Sequence, residues 1–230
     1  MTNDQLENVK HKIRSLLAKT TANGCSEAEA STAMGMAMGL MAKYGIENDS
    51  LGKEKLNAKQ GARNSKQVVD RKYIYQAAGV LYGCKFMTYD SGRSGFCYIG
   101  RQDNMDMAEV TATWLVEQVD VLCKAAYNAV GITGTDPRVV PFRKNFREAC
   151  GLKLLHRAQD LVANPVAIAE TTGQNALVMK GYFEKLSTEN EEYVSKMSNV
   201  IQTKARPKKW GIGAGAGYAA GDSVKLRKEI

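Results

Sequence analysis

Asp103, Asp106 and Glu109 put three carboxylates within seven residues, and carboxylates are the side chains that hold divalent metals or relay protons in hydrolysis. Asp103 and Asp106 also have N-cap and N3 spacing for a helix, where acids stabilise the terminus. Capping accounts for both, and a metal-dependent nuclease or phosphoesterase is the enzymatic alternative. A zinc site needs four clustered ligands, typically with close Cys or His pairs. Here Cys84 and Cys97 are the nearest cysteines in sequence, and the two histidines, His11 and His156, lie far apart. A Cys150–His156 nucleophile pair fails on geometry: six positions along one helix leave them about 120° apart. Gly215–Ala220 spells G-x-G-x-x-A, but a dinucleotide fingerprint needs a strand before it and a βαβ unit of ~30 residues around it. No metal, no cofactor and no catalytic residue is assigned.

Cations give a stronger pattern. Arg138, Arg143, Lys144 and Arg147 surround the start of a helix with Pro141 in its first turn. Cations there oppose the helix macrodipole by roughly 0.3–1 kcal/mol each. Either acids near Asp103–Glu109 pair with them, or an anion binds with help from the helix amides. Further on, Lys204, Arg206, Lys208 and Lys209 lead into Trp210, and Tyr218, Lys225, Arg227 and Lys228 follow. Aromatic stacking beside phosphate-neutralising cations is how single strands are held without sequence reading; ordinary packing of Trp210 is the other possibility.

The charge is concentrated. Leu51–Lys72 and Thr203–Ile230 each carry seven Lys or Arg against two acids, whereas the whole chain nets only +8. All the positive surplus therefore sits in one linker-like stretch and one glycine-rich segment. That distribution suits a polyanion partner better than a generally basic surface does. A solvated linker and tail is the plainer explanation.

The elements that must position these residues read as α+β and predominantly helical. An N-terminal antiparallel helical hairpin over 1–49 comprises Gln5–Lys19 and a second helix ending near Lys43, with a capping box at Ser26 and Glu29. Met34, Met38 and Met41 in the second helix serve either the core or a partner-binding surface, since methionine adapts to both. A basic linker over 50–72 follows. The α+β domain over 73–202 begins with a short helix from Tyr73 to about Tyr82. Cys84–Tyr89 and Phe96–Ile99 flank a Ser/Gly-rich turn and read as a β-hairpin. Helices are expected from about Asp103 to Asn128 and from Pro141 to about Val162. Ala176–Met179 reads as a third short strand, and Glu189–Gln202 as a helix with Thr188 and Glu191 as its capping box. The basic glycine-rich segment over 203–230 closes the order. Gly213, Gly217 and Gly221 recur every four residues, so a helix there would carry a groove for close packing.

Several of these pieces resemble a known family. Lys12–Ala18, Ser26–Ala30 and Leu40–Ile46 are similar to the helical hairpin called domain of unknown function 2786. Tyr82-Gly83-Cys84, Gly100-Arg101, Arg143–Phe146, Asn175–Val178 and Gly217–Gly221 resemble the region that commonly follows it. The resemblance implies a bacterial or bacteriophage intracellular protein and brings no known reaction.

Composition bounds the rest. At 44% hydrophobic residues the chain has the makeup of a globular protein. Five widely spaced cysteines argue for a reducing cytoplasm. No apolar run approaches the ~20 residues of a membrane span, and no membrane partner is expected. The reading that follows is a non-enzymatic accessory protein that holds DNA or RNA, single strands favoured, through Lys204, Arg206, Lys208, Lys209, Trp210, Lys225, Arg227 and Lys228 with the Arg138–Arg147 cluster. A protein-interaction module, binding a host protein or a second copy through Met34, Met38 and Met41, is the alternative.

Overall fold

The computed structural model describes residues 3–17, 19, 27–44, 46, 58–62, 64, 69–89, 94–166, 176–198, 200 and 209–226. Among them are seven helices and three strands: α1 Asn3–Leu17, α2 Glu27–Tyr44, β1 Lys59–Gln60, α3 Lys72–Leu81, β2 Lys85–Thr88, β3 Phe96–Gly100, α4 Gln102–Ala129, α5 Val139–Ala163, α6 Ala176–Ser195 and α7 Ala214–Ser223. The fold is thus mostly helical with a small sheet.

The sheet is antiparallel in the order β1-β3-β2, with Phe86 opposite Tyr98 and Thr88 opposite Phe96. β3 is buried along its whole length because it is the middle strand and α3 covers it. Tyr75 of α3 packs its ring on Phe86 and Phe96, the Tyr75 and Phe96 rings standing 4.4 Å apart, and Tyr98 meets the same two phenylalanines. Tyr98 donates its hydroxyl proton to the Tyr75 carbonyl at 2.7 Å, so the deepest tyrosine in the sheet is satisfied by the helix above it.

Four expectations need correction. The third strand is not Ala176–Met179 but Lys59–Gln60, which pairs with Gly100 and Ile99. The stretch read as a linker therefore supplies the edge of the sheet, and Gly61 and Asn64 extend its bonding to Tyr98 and Phe96. Ala176–Met179 is instead the first turn of α6, whose buried Met179, Phe183, Leu186, Asn190 and Val194 recur at helical spacing. Thr188 lies in the middle of that helix rather than at its start, and its hydroxyl bonds back to the Glu184 carbonyl at 3.1 Å. Finally, Arg101 rather than Asp103 is the N-cap of α4. The proposed cap at Ser26 lies outside the described residues.

α1 and α2 pack on each other, and α2 rests on α6. A polar tie reinforces this: Tyr82 Oη accepts from Thr111 of α4 at 3.1 Å and lies 3.2 Å from Ser31 Oγ of α2. α6 is fastened in turn by Arg101, whose guanidinium reaches both Glu189 oxygens at 3.0 and 2.6 Å.

The glycine-rich segment is a helix docked on α5. A Cβ on Gly213 would fall 2.9 Å from the Phe142 carbonyl oxygen, one on Gly217 2.3 Å from that of Phe146, and one on Gly221 2.6 Å from Lys153 Cβ. Contacts advance along both helices together, so α7 runs parallel to α5 at backbone-to-backbone range. On another side of α5, Gly151 admits α3, where an added Cβ would meet Ile74 N at 3.1 Å. Glycine is required at these positions for approach, which outweighs its poor helix propensity. Arg157 closes the far end of α7 by donating to the carbonyls of Gly221 and Val224 at 2.5 and 2.7 Å.

Gly217→Ala should therefore lower stability by about 1–3 kcal/mol in urea unfolding, as overpacking does. Gly215→Ala, where an added methyl meets nothing within 4 Å, should instead raise it by up to ~1 kcal/mol through helix propensity. Equal effects of the two substitutions would rule out the close contact.

Candidate functional site

The Arg138–Arg147 cluster divides by burial. Arg147 is buried on α5 and donates to Asp120 of α4 at 2.6 Å and to Asp70, just before α3, at 2.9 Å. Arg71 completes the set through Asp120 at 2.9 Å. Burial opposes the guanidinium charge, yet the hydrogen bonds it donates to both aspartates leave the Arg147 pKa raised. Arg147 is consequently a strut between three helices and not a phosphate ligand. Its partners are Asp70 and Asp120, not the acids near Asp103–Glu109. Sequence reading missed them because the two lie fifty residues apart in the chain.

Arg138 is half-exposed and held by Asp136, which accepts from both its backbone amide and its guanidinium. Those hydrogen bonds hold the Asp136 carboxyl below the usual carboxylate range. Arg143 and Lys144 are exposed on the first turns of α5. Neither α5 nor α7 has an acid in its first turn or a side-chain cap at its N-terminus.

Because α5 and α7 are parallel, those two N-termini lie side by side. Each carries about +0.5 of an elementary charge from its aligned peptides. Arg143 and Lys144 stand on the first turns of α5, and Lys209 and Trp210 lie just before α7. Asn145 of α5 fastens the approach to α7 by donating to the Ile212 carbonyl at 3.2 Å. Lys209 is exposed, and so are Trp210 (44%), Ile212 (46%) and, further along α7, Tyr218 (41%). Two large side chains just before α7 and one on its outer face are thus open to solvent, while the opposite face of the helix is buried to the backbone.

Lys225 is also exposed, just past α7. Lys204, Arg206, Lys208, Arg227 and Lys228 lie outside the described residues. Met34, Met38 and Met41 are buried in the core, so they are not a presented surface in this fold; Met36 of the same helix is exposed. On α4, Asp106 accepts from Gln102 at 2.6 Å. Among the described residues no group of three or more His, Cys, Asp or Glu is arranged to hold a metal ion. No helix among them is long and apolar enough to cross a membrane.

With this geometry in hand, comparison with known proteins adds one result. Residues 8–48 match the family described as protein of unknown function, DUF2786. No curated protein and no solved structure matches the chain. The DUF2786 match covers α2 and most of α1, the hairpin seated on α6, and lies apart in sequence from the aromatic and basic residues around α7.

The described thiols are chemically quiet. Cys84, Cys97, Cys123 and Cys150 are all buried and unpaired with one another. Burial pushes the Cys123 thiol up to about 11, against the lowering effect of Arg147, and Cys150 up to about 12.

Two outcomes follow. Arg147→Ala leaves Asp70 and Asp120 with Arg71 as their remaining shared cation and should destabilise the protein by about 3 kcal/mol in urea unfolding, the low end for a broken buried pair since Asp120 is a third exposed. Full stability in that variant would reduce the network to ornament. For Cys123 and Cys150, the folded state holds the proton more tightly than the unfolded state. Their contribution to stability is complete below the ordinary thiol pKa of about 8.5 and is lost as pH rises toward 11 and 12. Alkylation of Cys123 and Cys150 at pH 8 should be slow in native protein and fast in urea, as read by mass spectrometry of tryptic peptides.

Proposed function

We propose that this chain is a non-enzymatic accessory protein that binds single-stranded nucleic acid across the outer face of α7 and the adjoining first turns of α5. The observation that carries this reading is the parallel docking of α7 on α5. It sets two uncapped helix N-termini together beside Arg143, Lys144 and Lys209, a concentration of positive potential that an extended anion would relieve. Trp210 stands at that end and offers a stacking surface, which distinguishes a nucleic acid from a simple anion. The surplus cations of Thr203–Ile230 flank the same helix in sequence. Of the cluster on α5, Arg143 and Lys144 are assigned phosphate contacts, with Arg138 beside them; Arg147 is assigned none. A DNA or RNA strand fits this chemistry equally, and a bacterial or bacteriophage cytoplasm is the setting that goes with it.

Fluorescence anisotropy of labelled single strands and duplex at two salt concentrations tests the proposal. Single strands should bind more tightly than duplex, with log affinity falling by about 0.7 per phosphate contact for each log unit of salt. Trp210→Ala should weaken single-strand binding by about fivefold or more, the stacking of one base. The double variant Arg143→Ala, Lys144→Ala should flatten the salt slope by about 1.4. Salt-insensitive binding, or none at low salt, would refute the proposal.

A further inference from the structure

Tyr218 and Asp222 of α7 and Lys153 of α5 form one cluster of an aromatic ring, an anion and a cation. Asp222 lies in the last turn of α7, where a carboxylate faces the negative end of the helix macrodipole and is disfavoured. It is 63% exposed by side chain, so burial does not compensate it. Lys153 of α5 stands 3.2 Å from Asp222 Oδ1, and its ammonium also lies over the Tyr218 ring, 5.0 Å from the centroid. Lys153 keeps its stem packed where Gly221 comes nearest α5, so its ammonium is held near Tyr218 by the packing beneath. The result is a partly exposed aromatic ring with a cation over one face and an anion paired with that cation.

From this geometry we infer that Tyr218 and Lys153 form a second nucleotide subsite, and that Asp222 occupies the phosphate position while the site is empty. The inference rests on the single-strand reading of α7. An unpaired base stacks on the face of Tyr218 opposite Lys153, and its phosphate takes Lys153 from Asp222. No covalent step is involved; one ion pair is exchanged for another, and the displaced carboxylate returns to water. Trp210 lies before α7 and Tyr218 in its second turn, so one strand must run over several nucleotides to stack on both rings. The subsite therefore sets the minimum length of strand that engages both rings. Asp222 makes the site selective: a weakly held anion does not displace it, whereas a phosphate already tethered by a base at Trp210 acts at high local concentration.

The test is anisotropy with oligothymidylate and oligouridylate of about two and about twelve nucleotides, on the full chain. Asp222→Asn should tighten binding of the long strands about two- to fivefold, the range of an exposed ion pair removed from competition. Glu192→Gln, an exposed acid of α6 with the same charge change, should leave it unchanged. Tyr218→Leu should weaken long strands at least fivefold and short ones hardly at all. Lys153→Met, which keeps the aliphatic stem, should lower the salt slope by about 0.7. Thermal midpoints of Tyr218→Leu and Asp222→Asn should match the parent, because both side chains are exposed. If the parent binds long strands but Asp222→Asn and Glu192→Gln shift affinity equally, or Tyr218→Leu has no effect, the second subsite is refuted while the Trp210 site stands. If the parent binds neither strand at either length, the reading of α7 itself falls, and this subsite with it.

Discussion

α3, α4, α6 and α7 all contact α5, and two of them reach its backbone rather than its side chains. That requirement governs the architecture. A helix can be approached to backbone range only where glycine stands on one partner, and here Gly151 supplies it for α3 while Gly213, Gly217 and Gly221 supply it for α7. Once α5 is committed on those faces, its third contact is polar: Arg147 reaches across to Asp120 on α4 and Asp70 at the foot of α3. A buried cation of this kind adds little net stability over an apolar substitute, but it penalises any register that separates it from its acids. The small contacts set distance, and the charged one sets alignment.

The division of the cations follows from the same geometry. Arg101, Arg147 and Arg157 are structural: each spends its donors on a carboxylate or on helix-end carbonyls. Arg143, Lys144 and Lys209 remain at the surface, where the helix dipoles add to them. A net charge of +8 is therefore a poor guide to the surface potential of this chain. Placement matters more than count, and placement is decided by which face of α5 each residue falls on.

Legibility in the sequence varied for physical reasons. The α4 and α5 boundaries were readable because apolar stripes at helical spacing run from Met105 to Cys123 in one and from Val139 to Ala158 in the other. The β2–β3 hairpin was readable from paired aromatic runs around a polar turn. β1 was not, since Lys59–Gln60 contributes only main-chain bonds to β3 and carries no apolar alternation. Ala176–Met179 misled because a four-residue apolar run fits a strand or a helix; the deciding stripe lies further on, at Phe183, Leu186 and Asn190. The four-residue glycine spacing foretold a packing groove if the segment were helical, yet nothing in the sequence named α5 as its partner. Asp222 and Lys153 were invisible for the same reason: α7 and α5 are brought together by the fold, not by local order.

The parallel docking of α7 also has a consequence for biosynthesis. The strip of α5 that α7 covers includes Phe142, Phe146 and Cys150, and the fifty residues between Ala163 and Ala214 must be translated before it can be covered. Contacts of such long sequence separation form late. Until then a nascent or prematurely terminated chain displays an apolar, glycine-receptive groove along its central helix, the kind of surface that chaperones and proteases engage. Completion of this fold is thereby tied to the synthesis of α7, the same element on which the proposed recognition depends.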